Sequence, residues 1–274
     1  MFARFINFRI NYRNHRKIVV IDGKTSYTGG INLRDDHMNL LPKLAPWRDT
    51  QIKISGPATY ALQDIFFNDF LFASEQELST NQIQSYFPKL SPIGTENLQI
   101  LQSGPNLDTN NIYQVYTKAI SESKKYVLIQ TPYFVIDKAM QNALLNALKK
   151  GVKIVIIIPK TPDKKLVYGA TLLALGKLIK SGAKVYLFNG FIHSKMFVTE
   201  SMASVGTCNF DNRSFFYNFE NTCLCYSSKT IFKCVSIFKD DLNNSTPLLP
   251  AHYKKLKGRN VFKLLTCKII SKLV

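Results

Sequence analysis

The sequence predicts an α/β fold, a largely central sheet flanked by helices. From residue 98 onward, β-branched runs alternate with segments of helical apolar spacing. Apolar residues make up 46% of the chain, enough for a sizeable core in one large domain or two medium ones. A polar stretch with two prolines, SEQELSTNQIQSYFPKLSPIGTEN (74–97), reads as a linker between two halves.

In the first half, RKIVVID (16–22) is a β-branched strand, and GKTSYTGG turns the chain into a second short strand. ATYALQDIFFNDFLFA (58–73) predicts a helix, with Leu62, Ile65, Phe66, Asp69 and Phe70 near helical spacing. The second half (98–248) opens with a strand, LQILQS, then an amphipathic helix, NIYQVYTKAISESK. Next come a strand, KYVLIQTPYF, and a helix, DKAMQNALLNALKKG, closed by Gly151 as a left-handed cap. VKIVIIIP is a strand buried on both faces. LVYGATLLALGKLIKSG is a helix closed by Gly182, followed by strands KVYLF and IHSKMFVTE. The basic tail (249–274) has Phe262, Leu265, Ile269 and Leu273 at helical steps, with Lys263, Lys268 and Lys272 among them. Such a helix either packs on the domain or lies on an acidic bilayer.

Lys and Arg outnumber Asp and Glu by 36 to 18, a net charge of +18 that favours an anionic partner, nucleic acid or an acidic membrane surface. The cysteines are Cys208, Cys223, Cys225, Cys234 and Cys267. Their odd number and the lack of a CxxC pair argue against a disulfide framework or zinc site and fit a reducing compartment. Cys223 and Cys225 are expected on one face of a strand. No segment reaches the roughly 18 unbroken apolar residues that span a bilayer. Arg4, Arg9 and Arg13 interrupt any signal-peptide core.

The motif NHRKIVVID (14–22) is matched by IHSKMFVTE (192–200): His-x-Lys, then an acid at the same offset, Asp22 or Glu200. On a strand, alternate residues share a face, so His15 lies beside Lys17 and His193 beside Lys195. Gly29, Gly30 and Asn32 follow the first copy; Gly206 and Asn209 follow the second. The spacing from His15 to Asn32 is within one position of that from His193 to Asn209. A carboxylate then follows each unit, Asp49 in WRDT and Glu220 in NFEN. A neutral imidazole attacks phosphorus, and a protonated one is a general acid near pH 7. Lysine and asparagine hold phosphate oxygens, and a carboxylate fixes an imidazole's tautomer. Two copies supply one histidine to attack and one to protonate a leaving alcohol. No cluster of carboxylates or Cys/His ligands suggests a metal.

These motifs resemble those of the phospholipase D superfamily. Within it, RINYRNHRKIVVIDGK, GGINL, WRDTQIKISGPATYALQ, LQSGP, QTPYF and GTCNFDNRSFFYNFE are similar to bacterial cardiolipin synthases. The resemblance covers essentially the whole chain. It implies a pseudo-two-fold pair of α/β sandwich halves with the active site at their interface. It also implies transphosphatidylation between two phosphatidylglycerol molecules through a phosphohistidine, giving cardiolipin and glycerol, with no cofactor. On that reading His15 attacks and His193 is the acid and base. Lys17, Lys195, Asn32 and Asn209 hold the phosphate, and Asp49 and Glu220 orient His15 and His193 respectively. Asp22 and Glu200 complete the two motifs and are grouped by them with the catalytic residues; in the family this acid is structural, so the extra methylene of Glu200 is tolerated.

Only positions 1–14 precede His15, whereas the whole stretch 98–192 precedes His193 within its half. Residues 1–73 therefore read as the remnant of an incomplete first half, and the chain as N-terminally truncated, without the family's transmembrane anchors. Open sheet edges there are an aggregation hazard and point to self-association. The expected location is peripheral, on the cytoplasmic side of the cell membrane, against anionic phospholipid. The alternatives are a phospholipase D-type phosphodiesterase, acting on phospholipid or nucleic acid, and an inactive membrane-binding remnant.

Overall fold

The computed structural model describes residues 12–259, so the basic N-terminal segment, the tail positions from Phe262 onward and Cys267 lie outside the described residues. The first half contributes β1 (Arg13–Asn14), β2 (Ile18–Ile21), β3 (Thr25–Gly29), β4 (Trp47–Arg48), β5 (Gln51–Ser55) and α1 (Thr59–Ser74). The connecting stretch holds α2 (Thr80–Ser85), within the segment expected as linker. A capping box between Ser79 and Gln82 starts this short helix.

The second half runs β6 (Leu98–Ser103), α3 (Asn111–Glu122), β7 (Tyr126–Gln130), β8 (Phe134–Val135), α4 (Lys138–Lys149), β9 (Lys153–Pro159), α5 (Lys165–Lys180) and β10 (Lys184–Phe188). It continues with β11 (Phe191–Ile192), β12 (Met196–Thr199), β13 (Ala203–Gly206), β14 (Phe210–Asp211), α6 (Asn212–Phe216), β15 (Asn218–Cys225), α7 (Ser228–Asn243), β16 (Ser245–Pro247) and α8 (Pro250–Arg259). Gly151 (φ 85°) and Gly182 (φ 100°) close α4 and α5 in the left-handed region, as their positions predict.

A nine-stranded mixed sheet forms the centre, in the order β1-β15-β13-β12-β7-β9-β10-β16, with β6 also on β15. Strands β7, β9 and β10 are parallel neighbours. Their apolar residues alternate between two layers. Val127, Ile129, Ile154, Ile156 and Ile158 face α3, α4 and α5, packing with Ile112, Met140, Leu144 and Leu172. Leu128 and Ile157 face the opposite side, against Ile231, Cys234 and Phe238 of α7. Burying one Leu, Ile or Phe contributes about 1.5–3 kcal/mol, so the two layers hold the sheet as its centre.

The first half is smaller. Its sheet is β2-β3-β5, covered by α1. The helix turns Leu62, Ile65 and Phe67 inward and leaves Phe66 and Phe70 exposed. Its buried face is thus rotated from the one the spacing predicts. Ile54 and Leu62 meet Cys223 and Cys225, whose sulfurs lie 3.8 Å apart on one face of β15.

Both His-x-Lys segments fall between strands. The sequence predicts one strand over 16–22 and one over 192–200, yet residues 15–17 and 193–195 lie outside the strands. At each, the backbone leaves one ladder and joins another. β1 pairs parallel with the start of β15, after which the chain enters β2 in the smaller sheet. β11 pairs parallel with β4, after which the chain enters β12 in the larger sheet. Each motif is therefore entered from a strand pair that joins the two halves.

Candidate active site

Register builds the site. Asn14 sits opposite Phe219, and the His15 N–H donates to the Phe219 carbonyl at 3.0 Å. The next residue along β15 is Glu220, and the His15 Nδ1 lies 2.9 Å from its Oε1. Ile192 sits opposite Arg48, and the His193 N–H donates to the Arg48 carbonyl at 2.7 Å. The next residue there is Asp49, with its Oδ2 at 2.8 Å from the His193 Nδ1. The pairing is the reverse of that expected from the sequence: Glu220 orients His15, and Asp49 orients His193. Sequence distance suggests a carboxylate within each half, but the parallel inter-half ladders deliver it from the other half.

With Nδ1 bound, each histidine keeps an Nε2 that is free, among the described residues, for chemistry. Glu220 is fully buried and also accepts from the Thr207 hydroxyl (2.5 Å) and the Asn218 amide (3.2 Å). Asp49 also accepts from the Thr50 N–H at 2.8 Å. Burial pushes both carboxyls up, but the histidines and lysines outweigh it and leave each below its ordinary value.

The lysines fold back on their own motifs. Lys17 Nζ donates to the His15 carbonyl at 2.6 Å, and Lys195 Nζ to the His193 carbonyl at 2.5 Å. Burial lowers Lys195 to about 7, opposed by Asp49, and Lys17 to about 8, opposed by Glu220. Each lysine feels both carboxylates, which draws the two motifs into one electrostatic unit. Burial, reinforced by the Lys195 charge, lowers His193 to about 3 even though Asp49 opposes it. The His193 side chain is 9% exposed, whereas that of His15 is 29% exposed.

The glycines serve close approach. A Cβ on Gly30 would lie 2.0 Å from Asp49 Oδ1, and one on Gly206 2.5 Å from the Asn221 carbonyl. Asn209 is buried, and its Oδ1 has no hydrogen-bond partner among the described residues. Asn32 is half-buried, with its amide nitrogen 3.3 Å from His37 Nε2.

Asp22 and Glu200 stand apart from the histidine–carboxylate pairs. Asp22 is exposed in the turn after β2 (φ 53°). Glu200 accepts from the N–H groups of Lys124 (2.5 Å) and Lys125 (3.2 Å), clamping the end of β12 to the start of β7. Grouping these acids with the catalytic residues is thus corrected. The strand carries each acid away from its histidine, and Glu200 binds backbone instead.

His37 carries no motif in the sequence, and Trp47 enters only as the first residue of WRDT, yet both border the site. The His37 ring centroid lies 4.0 Å from that of Trp47 and 4.9 Å from that of His193, edge to face. A lone histidine in a loop gives no signal; only the fold brings it here. His37, Asp49 and His193 each offer a ligand atom, all within 4.8 Å of one another. The expectation of no His/carboxylate cluster is corrected here, because its members are distant in sequence.

Comparison with known proteins agrees with this architecture. Residues 116–242 match the family described as cardiolipin synthase, PLD-like domain. Major cardiolipin synthase ClsA of Bacillus subtilis is 46% identical over 241 residues, covering 87% of this chain and 50% of that protein. The chain is thus similar to the phospholipase D superfamily, with a PLD-like domain over residues 116–242. Cardiolipin synthase of Listeria welshimeri is 40% identical over 97% of this chain and 55% of its own length. The chain thus spans about half the length of the curated relatives it matches. Phosphatidylserine synthase of Haemophilus influenzae shares the fold with a TM-score of 0.71 at 17% identity, over 97% of this chain and 70% of that one.

Two outcomes follow from this geometry. Glu200→Ala should lower unfolding stability by about 1 kcal/mol in urea, through lost bonds to backbone, and leave sulfate affinity at the site unchanged. A matching fall in sulfate affinity would place Glu200 in the binding set. Sulfate itself does not titrate near neutrality. Its affinity should fall about tenfold or more from pH 7 to 9, as Lys195 and then Lys17 lose their protons. A flat calorimetric profile would contradict this.

Proposed function

We propose that the site transfers a phosphatidyl group between two phosphatidylglycerol molecules, giving cardiolipin and glycerol. The observation that carries this is the pair of carboxylate-bound histidines with free Nε2 atoms, flanked by buried Lys195 and half-buried Lys17. Its motifs match cardiolipin synthases over most of the chain.

In the first step His15 Nε2 attacks phosphorus. A nitrogen–phosphorus bond forms, the bond to the glycerol oxygen breaks, and His193 gives that oxygen its proton. In the second step His193 takes a proton from a hydroxyl of the second phosphatidylglycerol. That oxygen attacks phosphorus, and His15 departs as cardiolipin forms. Lys17, Lys195, Asn32 and Asn209 bind the non-bridging oxygens, and Glu220 and Asp49 hold the two imidazoles in place.

His193 starts neutral, at about 3. One negative charge 4 Å away stabilises an imidazolium by about 4 kcal/mol at an effective dielectric of about 20. The bound phosphodiester thus raises His193 from its lowered value toward the protonated form. The anionic substrate therefore arms its own acid.

Such a substrate places the chain at a membrane surface. The cytoplasmic leaflet, with its negative potential, suits a chain of charge +18. Among the described residues no helix is long and apolar enough to cross a membrane.

Each of His15→Ala and His193→Ala should reduce cardiolipin formation from phosphatidylglycerol vesicles by about a hundredfold or more. A phosphodiester with a p-nitrophenolate leaving group needs no acid. With it, His193→Ala should accumulate a covalent phosphoenzyme that His15→Ala never forms. An adduct in His15→Ala alone would exchange the two roles. Phosphodiester or DNA hydrolysis without cardiolipin would refute the transferase reading.

A further inference from the structure

The segment between β3 and β4 is turned inside out for a water-exposed loop. Asn32 and His37 point toward the site, where the His37 ring centroid lies 4.9 Å from that of His193. Asp36 is also engaged, with Arg34 at 3.1 Å and the His37 N–H at 3.1 Å. The apolar residues face solvent instead. Leu33 is 97% exposed, Leu40 68%, Met38 64% and Leu41 50%.

The base of this segment is fixed. Asn39 brackets the Trp47 backbone, donating to its carbonyl at 3.0 Å and accepting from its N–H at 2.5 Å. Leu40 N–H donates to the Asp35 carbonyl at 3.0 Å, closing a tight turn. The outward leucines are therefore held in place at the rim of the catalytic cluster.

We propose that residues 31–41 form an interfacial loop that inserts Leu33, Met38, Leu40 and Leu41 into an acidic bilayer at the mouth of the site. Apolar side chains on a loop enter the headgroup boundary by removing their surface from water, while basic groups stay at the phosphate level. Arg34, whose side chain is 66% exposed, and exposed Lys43 sit among the leucines. The net charge of +18 draws the whole chain to the same surface. A bilayer is favoured over a protein partner because the loop rims a site whose proposed substrate is a membrane lipid. The inference rests on the transphosphatidylase reading to that extent. It gives the loop two roles: His37 and Asn32 border the phosphate site, while the neighbouring leucines hold the lipid surface against it.

The test is flotation of the full chain with phosphatidylglycerol-containing vesicles at high salt, where electrostatic attraction is screened. Wild type should stay bound. The neutral triple variant Leu33→Ser/Leu40→Ser/Leu41→Ser should bind about tenfold or more weakly, with sulfate affinity and melting temperature unchanged. Leu33→Ser alone, at the most exposed position, should weaken binding measurably even if the triple variant folds poorly. The proposal is overturned if the variants float as wild type does, or if wild type is released by salt. Loop-dependent flotation without cardiolipin formation would refute the transphosphatidylase reading and leave the interfacial loop standing. Cardiolipin formation with loop-independent binding would do the reverse.

Discussion

Two short parallel pairings govern the rest of this molecule. Arg13–Asn14 against Asn218–Phe219, and Phe191–Ile192 against Trp47–Arg48, are short inter-half ladders. Each ends just before a histidine on one strand and just before a carboxylate on the other. Slipping either by a single position would turn the carboxylate to the opposite face. The site thus depends on inter-half register more than on the geometry of either half. Each half supplies the carboxylate that orients the other half's histidine, so neither half holds a complete pair.

Arginines brace both crossings. Arg16, next to His15, binds Asp69 of α1 at 2.6 Å and Gln102 of β6 at 3.1 Å. Arg48, next to Asp49, binds Asp241 of α7 at 2.8 Å, and Gln130 holds the other oxygen of Asp241 at 2.9 Å. The site is thereby tied to a helix of each half. Buried charge is costly, and here each charge has several partners. The lowered lysines carry the remaining strain: burial disfavours their charge, and a bound anion favours it.

Much of the second half was legible in the sequence because its strands are apolar runs and its helices are periodic, two of them closed by Gly151 and Gly182. The parallel set over 126–130, 153–159 and 184–188 follows from those patterns. The doubled motif singled out His15, Lys17, His193 and Lys195 as candidates through spacing. What the sequence hid was long-range. The exchange of Asp49 and Glu220 depends on inter-half ladders too short to leave a periodic signature. The breaks at residues 15–17 and 193–195 were hidden because His-x-Lys alternation fits a continuous strand equally well. His37 was silent because a polar loop residue carries no pattern, and Phe66 and Phe70 misled because exposed aromatics still satisfy helical spacing. Glu200 looked like a member of the reacting set by motif, yet its oxygens serve the backbone of Lys124 and Lys125.

The crossed pairing is tested most directly by double-mutant cycles on unfolding free energy. The cycles combine His15→Ala with Glu220→Ala or Asp49→Ala, and His193→Ala with the same two. Coupling above about 0.5 kcal/mol should appear for His15 with Glu220 and for His193 with Asp49, and the other two pairs should be additive within about 0.5 kcal/mol. Coupling of His15 to Asp49 and of His193 to Glu220, with additivity in the crossed pairs, would contradict the account.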